Sequence, residues 1–141
     1  MDTSDKPFGN AAMAFHDSTV SSAQTDGPTV TVVVSPAYIH RSDGAPGIDS
    51  GTGWLQKAVI VLHDCQLPAD FPSLPLELSD GVVITAERTY DGIVPLPLSY
   101  TGLVRVDFSF ESGAYVVLSA SEIRIDVIGE ATYLEEFQGG G

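Results

Sequence analysis

Cysteine is nearly missing from this chain: Cys65 is the only one in 141 residues. No intrachain disulfide can form, which suits a reducing compartment and leads to the expectation of a cytoplasmic protein. Basic residues are also scarce, 6 against 19 acidic ones, for a net charge of −13. A field of that sign repels phosphate, so nucleic acid is not an expected partner, and anionic membrane surfaces are disfavoured in the same way. No apolar run approaches the roughly 18 residues that span a bilayer. The first residues, Met-Asp-Thr-Ser-Asp-Lys, carry no basic stretch leading into an apolar core, so a secretory signal is not expected.

Helical patterning is missing too. Within residues 28–137 no ten-residue stretch combines a helical apolar stripe with an N-cap residue. No repeat of 20–50 residues is evident. The Lys and helix that follow a phosphate-binding glycine loop are absent after Gly44, Gly47, Gly51 and Gly53, and Asp43 and Asp49 would repel phosphate there. The Gly-x-Ser-x-Gly elbow of hydrolases is missing. The three histidines, His16, His40 and His63, are far apart, and no Cys-x-x-Cys, His-x-x-x-His or Asp-x-Asp-x-Asp-Gly spacing occurs. Neither a metal nor another cofactor is expected.

What is abundant is β-branched alternation. Thr29-Val-Thr-Val-Val-Val34 opens after Gly27-Pro28 and is expected to stop at Pro36. Ala58-Val-Ile-Val-Leu62 reads as a strand buried on both faces. Prolines 68, 72 and 75 exclude helix between Leu67 and Leu78. Asp80-Gly81 and Asp91-Gly92 read as turns. Leu103–Phe110 and Glu122–Ile128 alternate with period two, the pattern of strands with one wet face. The expected fold is all-β, an antiparallel β-sandwich or flattened barrel of about seven to nine short strands, given turns spaced roughly 8–12 residues apart. Its expected core is Val32, Val34, Val59, Val61, Val82, Ile84, Val104, Val106, Phe108, Val117, Ile123, Ile125 and Val127. Cross-strand pairing is expected between Arg105 or Asp107 and Glu122, Arg124 or Asp126.

Residues 1–27 are rich in small polar residues and are expected to form a flexible N-terminal arm, in which Met13, Phe15 and Val20 are the side chains able to dock on a partner or on the domain itself. Residues 28–138 form the expected single β domain and residues 139–141 a flexible glycine tail. Residues 41–53 make a loop with four glycines, long enough to be mobile or functional.

The densest polar cluster is His63-Asp64-Cys65. A nucleophile–base pair of His63 and Cys65 needs a third group from elsewhere, because Asp64 points to the opposite face of a strand. The plainer reading caps the strand with His63 and buries Cys65 as a small hydrophobe, so no catalytic residue is expected. The leading expectation is a non-enzymatic protein-binding or assembly module that acts through sheet edges or faces, on a protein partner or by self-association as a homo-oligomer. The alternative is a small-molecule-binding protein or hydrolase-like enzyme with a pocket formed by Trp54, His63, Cys65 and Tyr90. A second alternative lies in the terminal Gly139-Gly140-Gly141, which resembles the Gly-Gly end of ubiquitin-type modifiers over the last few residues alone. That resemblance would make Gly140 and Gly141 a ligation site; the β-grasp fold of those modifiers also needs a helix, which is not patterned here.

Overall fold

The computed structural model describes residues 10–138. Nine strands follow one another: β1 (Asn10–Ala14), β2 (Thr19–Asp26), β3 (Thr29–Ser42), β4 (Gly51–His63), β5 (Leu76–Thr85), β6 (Thr89–Asp91), β7 (Ile93–Leu96), β8 (Leu98–Phe110) and β9 (Tyr115–Phe137). All pairings are antiparallel. The all-β expectation therefore holds, and nine strands fall within the expected number. They are not all short: β9 runs for 23 residues and β3 for 14.

Six strands close on themselves in the order β2-β5-β8-β9-β4-β3, because β2 pairs with both β5 and β3. The interior of this ring is packed with β-branched and aromatic side chains. Val30, Val32, Val34, Ile60, Leu62, Val104, Val106, Phe108, Ile123 and Ile125 are each no more than 1% exposed. Each such side chain gains about 1.5–3 kcal/mol on burial, so this interior is the main source of stability.

Three strands outgrow the ring. β3 does not stop at Pro36. Its register against β4 shifts between Val34 and Ala37, and the strand continues to Ser42. A bulge absorbs the proline, which has no N–H to give to a ladder. The outer halves of β3, β4 and β9, joined by β1 and β7, form an open five-stranded extension in the order β7-β1-β3-β4-β9. β6 adds to β5.

The expected flexible arm is corrected over residues 10–26. β1 pairs with β3 and β7, and β2 completes the ring. Met13, Phe15 and Val20 are fully buried, and the Phe15 ring meets Phe108 edge-on at 6.3 Å. Phe15 lies against Gly81, where any Cβ would strike the ring, so only glycine fits there. Apolar burial of this size outweighs the weak intrinsic strand preference of Ala and Ser. Residues 1–9 and the expected glycine tail lie outside the described residues.

Six core assignments, on three strands, are out of phase for a related reason. Asp80-Gly81 is not a turn but part of β5, and a register shift between Leu78 and Asp80 puts Val83 inside instead of Val82 and Ile84. In β9 it is Val116 and Leu118 that point inward, while Val117 is 39% exposed. In β4 the inward set is Ala58, Ile60 and Leu62; Val59 and Val61 are half-buried on the outer side, as is Val127 of β9. The expected cross-strand ion pairs are replaced by one within a strand: Arg105 donates from Nε and Nη2 to Asp107 at 2.7 and 3.0 Å. Arg124 instead faces Ser99 and Val61.

Candidate functional site

The residues expected to share a pocket are distributed over the molecule. His63 closes β4, and its Nδ1 lies 3.2 Å from the Thr29 hydroxyl on the neighbouring strand. Asp64 takes φ 56°, which breaks the strand geometry, and its carboxylate accepts from Ser121 at 2.5 Å. Beyond that kink Cys65 turns into the core at 2% exposure. Burial pushes its thiol up, against a smaller opposing pull from a backbone hydrogen bond at Gln66. A thiol kept neutral in the core is a poor nucleophile. Nine residues separate Trp54 from His63 along β4, a span of roughly 30 Å. Tyr90 is on β6 under the Arg88 guanidinium, 5.8 Å above its ring, and lines a groove of about 470 Å³ with Ile48, Ile93 and Leu96. Gly140 and Gly141 lie outside the described residues. Among the described residues no group of three His, Cys, Asp or Glu side chains is placed to hold a metal.

Trp54 belongs to the sheet extension, where the densest side-chain chemistry gathers. Its indole N–H donates to Thr52 at 2.8 Å, its ring meets Tyr133 edge-on at 5.4 Å, and the Arg41 guanidinium sits 5.9 Å from it. Arg41 also donates to Gln56 at 3.0 Å. Neighbouring positions on a strand face opposite ways, so Gly53 and Glu135 open onto the other side. There the Tyr38 ring crosses over Gly53, where a Cβ would collide with the hydroxyl, and the hydroxyl donates to Glu135. Burial, reinforced by that carboxylate, holds the Tyr38 phenol well above the ordinary tyrosine range. The His40 ring lies tilted against Tyr38 at 4.7 Å, and burial with nearby His16 keeps its imidazole below the usual value. The glycine-rich loop is tied down beside this face: Asn10 donates to the Gly44 carbonyl at 2.7 Å, and Asp49 accepts from the Ala45 N–H at 2.6 Å.

The extension has a feature that the ring does not. β8 accompanies β9 only as far as Ile125, opposite Leu98. From Asp126 to Phe137, β9 pairs with β4 on one side, and no strand among the described residues covers the other. The exposed edge carries apolar side chains: Ile128 is 48%, Tyr133 53% and Leu134 46% exposed. At the far side of the extension β7 is a poorer edge, only four residues long with Pro95 among them. Sequence reasoning missed Tyr38, Arg41, Tyr133 and Glu135 as members of one assembly; only the alternation of β9 running past Ile128 would have signalled it. Comparison with family models, curated proteins and solved structures found no match.

Proposed function

We propose that this protein is a non-enzymatic binding module that engages a protein partner through the open edge of β9. The observation behind this reading is the stretch from Asp126 to Phe137, where one side of the strand pairs with no other strand among the described residues and Ile128, Tyr133 and Leu134 are exposed. An uncovered edge presents unpaired N–H and C=O groups in strand geometry, and a partner strand satisfies them while its side chains meet those of the edge. The Trp54–Tyr133 and Tyr38–Glu135 contacts tie that edge to β4 and β3, which lowers the ordering cost of binding.

The test is selection of short displayed peptides on the immobilised full chain. Selected peptides should bind the wild type and the His63→Ala variant, and should lose at least about tenfold in affinity on Leu134→Pro, because proline has no N–H and disrupts strand pairing. A melting curve establishes that the proline variant is folded. Ligands that ignore Leu134→Pro and are lost with His63→Ala would move the function to the end of β4.

A further inference from the structure

We propose that the strand accepted by the β9 edge is cationic: an extended segment of another protein in which lysine or arginine alternates with apolar residues. This rests on the reading of β9 as a binding edge and adds the chemistry of its occupant. From Asp126 to Gln138 the chain has four acidic residues, Asp126, Glu130, Glu135 and Glu136, and no basic one. All four are exposed. Glu135 and Glu136 are consecutive, so they lie on opposite faces and an incoming strand meets negative charge on both. The β4 segment behind them, Gly51–Val59, carries a single charge, Lys57 opposite Ile128, against those four acids. One strand further away, the Arg41 guanidinium is engaged with Gln56 and the Trp54 ring.

Those charges choose between occupants. Acidic side chains along an edge are a common means of keeping identical edges apart. A second copy laid antiparallel on this edge would bring two such sets together, on two molecules each of net charge −13. An uncharged strand would gain backbone hydrogen bonds but nothing from the field. A cationic strand gains both, and its encounter is accelerated by the long-range attraction. Tyr133 and Leu134, 53% and 46% exposed, give its apolar positions a surface to cover.

The experiment uses the full chain and four capped peptides: alternating Lys/Val, alternating Glu/Val, alternating Thr/Val, and the Lys/Val peptide with a central proline. Fluorescence anisotropy reads affinity, and amide hydrogen exchange locates the site. The Lys/Val peptide should bind at least about tenfold more tightly than the other three, slow exchange at Thr132–Glu136, and weaken about fivefold on the Glu130→Gln/Glu136→Gln variant. Equal binding of the Thr/Val or Glu/Val peptide with protection at those amides would overturn the cationic assignment and leave the edge reading intact. Self-association of the free chain with protection at the same amides would do the same, naming a second copy as occupant. Equal binding of the proline peptide would show attraction without strand addition and overturn the proposal. No protection of the edge by any peptide would remove both readings.

Discussion

Tyr38 and Glu135 are 97 positions apart in sequence, and their hydrogen bond ties β3 to the last turn of the β9 ladder. The neutral phenol is favoured by burial and then by the carboxylate it donates to, so its pKa in the folded state is raised. A group raised on folding lends stability that is complete below its unfolded pKa, about 10 for tyrosine, and is lost as pH climbs beyond it. Unfolding free energy should therefore fall as pH rises past about 10, and Tyr38→Phe should remove part of that slope. At neutral pH the same variant should cost about 1 kcal/mol, the usual worth of one hydrogen bond. Urea titrations of both proteins at neutral and alkaline pH make the comparison, and parallel pH profiles would rule Tyr38 out as the source. No local pattern announces this contact. Residues 38 and 40 alternate like any strand, and Glu135 reads as one acid among many until the topology sets it over Gly53. Trp54 stood out as the only tryptophan, but the pocket expected for it with His63, Cys65 and Tyr90 does not form; its true neighbours, Arg41 and Tyr133, come from two other strands.

At the scale of elements, legibility followed the density of β-branched residues. β8 and residues 122–126 of β9 alternate cleanly, and the inward set Val104, Val106, Phe108, Ile123 and Ile125 was readable from that alone. β1 and β2 were not readable, since Ala, Ser and Gln have weak strand preference and these strands exist because their neighbours offer ladders. Bulges explain the phase error in β5, because a single shifted residue exchanges the two faces. The place of β1 in the fold makes a sharp prediction. Phe15 follows β1 directly, is fully buried, and packs on Gly81 and Phe108. Phe15→Ala should destabilise the whole domain by about 3–5 kcal/mol, the cost of a large cavity in a core. Denaturant unfolding followed by Trp54 fluorescence reports it, since Trp54 lies in another part of the sheet. A loss under about 1 kcal/mol would mean that the first strand rests on the domain without completing it.

For the whole molecule the question is how a sheet with an open edge avoids pairing with itself. The ring solves the problem for six strands by closure, and β7 solves it with brevity and Pro95. β9 has neither device beyond Ile125; it has two register shifts against β4 and its acids. If the charge is what keeps copies apart, removing it where it faces the edge should release association, although most of the net −13 remains. Glu130→Gln/Glu136→Gln spares the Glu135 contact with Tyr38, so the extension should keep its geometry. In sedimentation equilibrium at neutral pH the wild type should be monomeric, and the double variant should dimerise as its concentration rises. Adding Leu134→Pro to the double variant should return it to monomer, because proline disrupts strand pairing at the edge while the acids stay neutralised. High salt should mimic the double variant in part, because screening at about 1 M shortens electrostatic reach to about 3 Å. A double variant that stays monomeric at every concentration would show that the bulges alone protect the edge, and the acids would then have no part in keeping copies apart.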